Sequence, residues 1–458
     1  MFMDKHYQPY CADQVFLMPL SMRDWLPEDH LVYFVSDLVD TLDLSGLFTY
    51  KGDGRGAPPF HPAMMAKIIL YGLCRGVFSS RKLARAVIDE IPFRILAAGY
   101  TPDFRTINMF RKRRLKALAA LFKDVVIICR QAGLVLLAHV AVDGTKVLAN
   151  ASKHSAMSYD RMVEEEQRLL SEIEGLLKQG QSEDEADDAK HGADHSGDEL
   201  PSELAFRDKR LAKIRKAKAE LEQEAKERAA AKQAARAEKE AEATASGKKL
   251  RGFEPKIDET PDGKTQRNFT DPDSRIMKNS DKAFVQAYNG QAAVDSGCQI
   301  IVACDLTNQA ADAPHLKAMI DQVQANTGGT PGECSADTGY FSQENVKALE
   351  DRNIEAFIPP ERLPHHEHPL PPTCVDPDIQ SAADRQRAKL MTQEGRDKYA
   401  LRKQTVEPVF GQTKFARGFR QFLLRGLENV RDEWALVCLA HNVLKLYRYG
   451  DRNLIFQN

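Results

Sequence analysis

The sequence predicts an α/β fold in which a mixed sheet is flanked by helices, with an all-helical domain before it and a charged helical insertion within it. Three observations support this prediction. Residues 60–133 carry apolar side chains at helical spacing. From residue 135 onward, short β-rich apolar runs alternate with amphipathic helices, which is typical of a sheet covered by helices. Residues 157–250 are rich in Glu, Lys, Arg and Ala, the composition of a charged helical segment.

Length, cysteine usage and hydropathy limit the class of protein. The chain has 458 residues, more than one hydrophobic core usually supports, so we expect two or three domains. None of the eight cysteines forms a Cys-x-x-Cys pair, and several lie in apolar runs, which favours reduced thiols over a disulfide framework. The N-terminus lacks the pattern of a signal peptide, and no apolar run is long enough to span a bilayer. We therefore expect a cytoplasmic protein.

The first domain is predicted to span residues 1–134 and to contain about four helices. Pro62 stands where a helix begins, a position at which proline is well tolerated. Ser79 and Ser80 are N-cap candidates for the next helix. A long amphipathic helix follows and ends at Gly133, since glycine is common just after a helix C-terminus.

The charged insertion is predicted over residues 157–250. A Glu-rich helical run precedes the acidic stretch SEDEADDAKHGADHSGDE, and a long Ala/Glu/Lys/Arg helix follows over residues 203–243. The apolar positions of the second helix are mostly alanine, which is weak for a core. We interpret the insertion as a solvated helical hairpin with a disordered acidic loop.

The sheet domain is predicted over residues 135–156 and 251–450. The runs AFVQAYNGQAAVD and QIIVACDLT predict an antiparallel hairpin that turns around residues 295–297. ECSAD and IEAFIPP are predicted strands, and between them SQENVKALEDRN is a predicted helix capped by Ser342. A long polar helix is expected over residues 381–403.

Three acidic residues lie where strands or sheet connections end. Asp143 ends the run HVAVD, Asp337 ends ECSAD, and Glu407 follows the sheet. Sites tend to form at the carboxyl edge of an α/β sheet, and carboxylates that converge there repel one another without a cation. Oxygen ligands suit Mg²⁺ or Mn²⁺, and two such ions can activate water against a phosphodiester. The alternatives are turns at Asp143-Gly and Asp337-Thr-Gly and a surface position for Glu407.

Glu407 is the one acidic residue in the basic stretch LRKQTVEPVFGQTKFARGFRQFLLRG. With Thr405 as N-cap, Glu407 and Pro408 would lie in the first turn of a helix, where proline is tolerated. Lys414 follows Glu407 by seven residues, so two turns would place both on one face. A lysine there can hold a phosphate beside a metal ion, although a solvated basic helix is the alternative.

These motifs resemble those of bacterial insertion-sequence transposases, whose DDE catalytic domain has the ribonuclease H-like fold and follows a helical N-terminal domain. The similarity is carried by GAPPFHPAMMAKIILYGLCRGVFSSRKLARA and TPDFRTINMFRKRR in the helical part, and by VAVDGTKVLANASK, SADTGYFS and RKQTVEPVFGQTK in the catalytic part. The resemblance implies that Asp143, Asp337 and Glu407 are catalytic and bind Mg²⁺ or Mn²⁺, as two ions. It also implies terminal inverted repeats and target DNA as partners, a homo-oligomer on the paired ends, and association with the nucleoid.

The last motif of this family is Tyr-x2-Arg-x3-Glu-x6-Lys. Glu407 and Lys414 match it, but Lys403 stands at the Arg position, because Tyr399 and Arg402 each lie one residue early. The resemblance implies DNA contacts by Lys414. The further candidates for such contacts are Lys146, Lys403, Arg402 and Tyr399.

The helical domain is the expected end-binding element. Its basic run Arg111-Lys112-Arg113-Arg114 would contact phosphates, with a solvated helix face as the alternative. Two other functions remain open for the chain: a metal-dependent nuclease of the same fold without strand transfer, and an inactive DNA-binding relative. The His/Cys run HHEHPLPPTC at residues 365–374 matches no common zinc spacing, so a polar loop is the better interpretation.

Overall fold

The computed structural model describes residues 21–48, 58–191, 202–245, 258–279, 281–362, 371–373 and 381–456. The chain divides into two compact units. The first comprises residues 1–135 and 436–458, and the second comprises residues 136–435. In the part of the chain that the structure describes, no helix is both long enough and apolar enough to cross a membrane.

Every regular element described in the first unit is helical. Its first five α-helices are α1 (Leu31–Thr41), α2 (Pro62–Arg75), α3 (Ser80–Asp89), α4 (Ile91–Leu96) and α5 (Phe104–Gln131). Helix α2 begins at Pro62 as predicted, and α5 begins after Asp103, whose Oδ1 accepts a hydrogen bond of 2.6 Å from the N–H of Thr106. In the core, the rings of Tyr71 and Phe93 meet edge to face at 4.9 Å.

The second unit is built around a mixed six-stranded sheet. In chain order, its strands and those of a separate two-stranded sheet are β1 (His139–Leu148), β2 (Ala156–Ser158), β3 (Gln266–Asn268), β4 (Arg275–Lys278), β5 (Phe284–Asp295), β6 (Ile301–Thr307), β7 (Glu333–Ala336) and β8 (Glu355–Phe357). The large sheet has the order β4-β5-β1-β7-β8, with β6 paired to β5, and β2 pairs with β3. The predicted antiparallel hairpin is confirmed as β5–β6. Strand β1 pairs antiparallel with β5 and parallel with β7.

The charged insertion contains two long helices, α6 (Tyr159–His191) and α7 (Ser202–Ala245). An apolar cluster holds them together, and it includes Met162, Leu169, Leu211 and Leu221. Arg267 on β3 binds α7 through Glu220 and Glu224, at 2.8 and 2.6 Å. The hairpin therefore has a core of its own and is not only a solvated helix pair, because leucine and isoleucine interrupt the alanine positions of α7.

The remaining helices of the second unit follow the sheet. They are α8 (Leu316–Thr327), α9 (Gln343–Glu350), α10 (Ala382–Met391), α11 (Gln393–Gly411) and the first part of α12 (Leu427–Tyr449). Helix α9 is capped as predicted, since Ser342 Oγ accepts from the N–H of Asn345 at 3.0 Å. Helix α12 continues past residue 435 into the first unit, where α13 (Arg452–Ile455) follows it.

The predicted helix that begins at Thr405 is wrong. Helix α11 runs without a break from Gln393 to Gly411 and contains Pro408, and Thr405 Oγ1 donates to the carbonyl of Leu401 at 2.8 Å instead of capping. Proline has no N–H for the carbonyl four residues before it, which is that of Gln404. The side chain of Gln299 supplies the missing donor, with Nε2 at 2.8 Å from that carbonyl. Glu407 therefore lies deep in a helix rather than in its first turn.

The prediction that two α-helical turns separate Glu407 and Lys414 on one helix face is also wrong. Lys414 lies in a π-helical turn, Gln412–Ala416, that follows α11. A π-helical turn has more residues than an α-helical turn, so the seven-residue interval no longer corresponds to two α-helical turns. The predicted polar helix over residues 381–403 is likewise divided, because Thr392 lies between α10 and α11 and caps the second of them.

Candidate active site

Asp143 lies in the middle of β1, not at a strand end as predicted, whereas Asp337 directly follows the last residue of β7. Val142 on β1 is paired with Ala336 on β7, so the two aspartates are the next residues along adjacent strands. Strands in a sheet lie about 4.8 Å apart, which brings the two carboxyl groups close together. Asp337 Oδ1 accepts from the N–H of Gly339 at 2.9 Å, and this bond begins the short turn Thr338–Tyr340.

The electrostatics of this edge disfavour two ionised carboxylates. Burial raises the pKa of Asp143 to about 7, and the negative charges of Asp337 and Asp312 add to the rise, while Arg402 opposes it. Burial and the charge of Asp312 also raise the pKa of Asp337. A positive charge placed between the two aspartates would offset both effects. The pair is thus suited in charge and donor type to a divalent cation that prefers oxygen ligands.

Arg402 links Asp143 to Glu407. Its Nη1 donates to Asp143 Oδ2 at 2.8 Å, and its Nη2 lies 3.3 Å from Glu407 Oε1. The Arg402 side chain is only 15% exposed, and its guanidinium lies over the ring of Tyr399, 5.9 Å from the centroid. Lys403, in contrast, is exposed. Arg402 and Tyr399 therefore occupy the site although they lie one residue early in the sequence motif.

The three predicted ligands are not all brought together. Among the residues that the structure describes, no group of three His, Cys, Asp or Glu side chains is arranged to hold a metal ion. Asp143 and Asp337 lie side by side, but Glu407 contacts the second terminal nitrogen of Arg402, and its side chain is 48% exposed. The aspartate pair fits a divalent cation, whereas Glu407 reaches the pair only through the guanidinium.

Two family models match the chain. One, described as a transposase domain (DUF772), matches residues 20–113, and the other, described as a transposase DDE domain, matches residues 373–447. Over these two segments the chain is similar to the N-terminal and C-terminal domains of insertion-sequence DDE transposases. In the same comparisons, no curated protein and no solved structure matches the chain.

These matches bear on the fold and on part of the site. A transposase DDE domain implies the ribonuclease H-like fold, and the mixed sheet with flanking helices and a helical N-terminal unit confirms the predicted fold class. DDE transposases use divalent metal ions and act on DNA. The DDE match includes Arg402, Glu407 and Lys414, while Asp143 and Asp337 lie outside it, so their assignment depends on the sheet geometry.

Two lysines, Lys146 and Lys414, meet on the stretch of β1 that follows Asp143. Lys146, three residues further along β1, has its Nζ at 3.2 Å from the carbonyl of Ala310 and at 3.4 Å from Asp312 Oδ1. Lys414 Nζ donates to the carbonyl of Lys146 at 2.7 Å. Burial, with the positive charge of Lys146, lowers the pKa of Lys414 to about 8. The two neighbouring cations are suitable for a phosphate group.

The basic run of the helical unit divides into two pairs. Arg111 is buried and donates to the carbonyl of Phe78 at 2.8 Å, and Arg114 donates to the carbonyl of Leu47 at 2.9 Å. These two arginines hold loops of their own unit. Lys112 and Arg113 are exposed, so for them a DNA contact stays a prediction. For Arg111 and Arg114, whose side chains bind backbone carbonyls, a DNA contact is disfavoured.

Asp312 is a further acidic residue near Asp143 and Asp337 that was not predicted from the sequence. Its Oδ1 accepts from Asn289 Nδ2 at 2.6 Å and from Gln291 Nε2 at 2.9 Å. The signal that marks the other two aspartates is missing here, because Asp312 does not end an apolar run but follows β6 only after an intervening loop segment. The histidine and cysteine candidates for a zinc site at residues 365–374 lie outside the described residues.

Proposed function

We propose that this transposase binds the terminal inverted repeats of its element and catalyses metal-dependent cleavage and strand transfer of DNA. One observation carries the proposal: Asp143 and Asp337 directly follow the last paired residues of the neighbouring parallel strands β1 and β7, and Arg402 joins Asp143 to Glu407 in the segment that matches a transposase DDE domain. Raised pKa values of both aspartates, caused first by burial, support a site that is completed by a cation.

Asp143, Asp337 and Glu407 would hold Mg²⁺ or Mn²⁺ as a pair of ions, as the resemblance to DDE transposases implies. Two divalent ions on such ligands supply an activated water and stabilise the leaving oxygen of a phosphodiester. For Glu407 to join the two aspartates, its contact with Arg402 at 3.3 Å must open. Arg402 can keep its shorter contact with Asp143 or turn toward a DNA phosphate, which the planar guanidinium binds well.

The lysines and the helical unit would bind the DNA. Lys146 and Lys414 lie next to each other at the edge that carries Asp143, so they would hold the phosphate that flanks the cleaved bond. Lys112 and Arg113, both exposed on α5, would contact the backbone of the terminal repeats. Because two element ends must be held together for strand transfer, a homo-oligomer on DNA is part of the proposal.

Joining of a pre-cut end to a plasmid separates this function from its alternatives. The full-length protein is incubated with Mg²⁺, a supercoiled plasmid and oligonucleotides that carry the DNA flanking the gene. We expect joined products from the wild-type protein and none from Asp143→Asn, although this variant still binds the oligonucleotides. Cleavage without joining would favour a nuclease, and binding without either reaction would favour an inactive relative.

A further inference from the structure

We propose that Asp312 is a positioning residue of the active site, which holds Lys146 in place and supports the turns that follow Asp143 and Asp337. This inference rests on the proposed function. Asp312 lies in the connection between β6 and α8, and its side chain is 18% exposed. Asp312 is not one of the three predicted metal ligands, so the proposed function alone assigns it no role.

The contacts of Asp312 converge on strand β1 and its neighbour β5. Its Oδ1 accepts from Asn289 and Gln291, two fully buried residues of β5, and pairs with Lys146 Nζ at 3.4 Å. Asn289 is also the strand partner of Lys146, and Gln291 is the partner of Gly144. Asp312 thus connects the two strands on the stretch that begins directly after Asp143.

Both carboxylate oxygens of Asp312 face a glycine that follows a predicted catalytic aspartate. A Cβ atom at residue 144 would lie 2.8 Å from Asp312 Oδ1, and one at residue 339 would lie 3.4 Å from Asp312 Oδ2. Only a residue without a side chain allows the carboxylate to approach so closely at Gly144. The motifs Asp143-Gly and Asp337-Thr-Gly therefore share Asp312 as a neighbour, and at residue 144 the approach is too close for a side chain.

The network continues to the turn after Asp337. Gln291 Nε2 donates to Asp312, while Gln291 Oε1 accepts from the hydroxyl of the buried residue Tyr340. Tyr340 closes the turn that starts at Asp337. Through one glutamine, Asp312 is therefore connected to the backbone that carries the second aspartate.

The negative charge of Asp312 has a specific partner. The amides of Asn289 and Gln291 could donate equally well to an asparagine oxygen, but the charge attraction that holds the long contact with Lys146 at 3.4 Å requires a carboxylate. Lys146 in turn offers its carbonyl to Lys414 Nζ at 2.7 Å. Asp312→Asn should therefore keep the hydrogen bonds that stabilise the fold and remove the charge that holds the ammonium group of Lys146.

The test measures single-turnover nicking of end DNA by the full-length protein in Mg²⁺, together with affinity for the same DNA in EDTA and the melting temperature. We expect Asp312→Asn to slow nicking roughly 10- to 100-fold, as for a misplaced substrate contact. End-DNA affinity and melting temperature should stay near those of the wild-type protein. Lys146→Gln should cause a similar loss of rate, and the double variant should be no slower than Lys146→Gln alone. Asp321→Asn is the matched control, because Asp321 is an α8 acid that pairs with Arg352 and is 50% exposed.

Several outcomes would overturn the inference. It fails if Asp312→Asn nicks like the wild-type protein while Asp143→Asn is inactive, and it fails if the losses of the two single variants add in the double variant. If Asp312→Asn does not fold, Lys146→Gln decides, since a Lys146→Gln protein with wild-type nicking contradicts a role exerted through Lys146. If wild-type and Asp143→Asn proteins nick equally, the proposed function itself fails, which is a separate result.

Discussion

Arg402 Nη1 lies 2.8 Å from Asp143 Oδ2, and both side chains are 15% exposed. This ion pair supplies the positive charge nearest to the most strongly perturbed carboxyl group of the site. Burial raises the pKa of Asp143 to about 7 even though Arg402 acts to lower it. The same guanidinium contacts Glu407, so it connects two of the three predicted metal ligands.

The first prediction concerns Arg402 and its neighbour Lys403. Arg402→Met should lower the free energy of unfolding at pH 8 by about 3 kcal/mol, because the charge of Asp143 stays largely buried without its partner. The loss should be smaller at pH 6, where Asp143 takes up a proton. Lys403→Met should change stability by less than about 0.5 kcal/mol, since Lys403 is exposed. Urea unfolding in EDTA measures both variants, and equal effects would contradict the register in which Arg402 fills the site.

The second prediction concerns the pH dependence of stability. The pKa of Asp143 is about 7 in the folded protein, against 3.8 for an ordinary aspartate, so between these values the folded state binds more protons than the unfolded chain. Asp143 should therefore favour folding most below about pH 4, and this contribution should disappear as the pH rises toward 7. Without metal, the wild-type protein should lose stability over this range more steeply than Asp143→Asn. A steeper slope for the variant would contradict the burial of this carboxyl group.

Metal binding should reverse this effect at higher pH. At pH 8, Mn²⁺ should raise the melting temperature of the wild-type protein, because an ion that binds only the folded state stabilises it by mass action. Asp143→Asn should show a much smaller rise, and the control Asp321→Asn should behave like the wild-type protein. An equal rise in all three proteins would mean that the ion binds elsewhere.

The third prediction concerns Lys414. Its pKa is lowered to about 8, first by burial and then by Lys146, so it should lose its charge between pH 7 and 9. If Lys414 binds a phosphate, affinity for end DNA should fall over this range, and Lys414→Arg should remove the fall because arginine stays protonated. Lys414→Gln should also reduce the salt dependence of binding by about one ion at pH 7. Fluorescence anisotropy against pH and salt measures both, and unchanged profiles would exclude a phosphate contact.

The fourth prediction compares two glycines. A Cβ at residue 144 would lie 2.6 Å from Gln291 Nε2 and 2.9 Å from Asn289 Oδ1, so Gly144→Ala should cost about 1–3 kcal/mol of stability. Gly175 lies in helix α6 with no atom within 4 Å of its added Cβ, so Gly175→Ala should stabilise by about 0.5–1 kcal/mol. Thermal unfolding of both variants measures the difference, and a neutral Gly144→Ala would argue against close packing at the site.

The sequence could predict that Asp143 and Asp337 are neighbours because their signal is local, although only Asp337 follows a strand end and Asp143 lies within β1. A buried apolar run that ends in an acid is visible in HVAVD and ECSAD, and both runs form neighbouring strands with their acids at one edge. The strand hairpin and the cap at Ser342 were predictable for the same reason, since turn and cap residues act within a few positions.

The path of helix α11 could not be predicted from the sequence. Pro408 locally favours a helix start, but Gln299, which lies 105 residues before Gln404, donates to the Gln404 carbonyl that proline leaves without a partner. The place of Arg402 could not be predicted from motif spacing for a related reason, because its long side chain reaches Asp143 from a helix whose register is set by tertiary contacts. Asp312 was missed because its partners come from two strands, β1 and β5, that are distant from it in the sequence.

The central claim is that Asp143, Asp337 and Glu407 together form the metal site that cleaves DNA. The most direct measurement is Mg²⁺-dependent nicking of end DNA by the wild-type protein and by Asp143→Asn, Asp337→Asn and Glu407→Gln, with end binding measured in EDTA. The account predicts nicking by the wild-type protein and by Asp321→Asn, and none by the three variants, all of which still bind the DNA. Wild-type rates of nicking in any one of the three would contradict it.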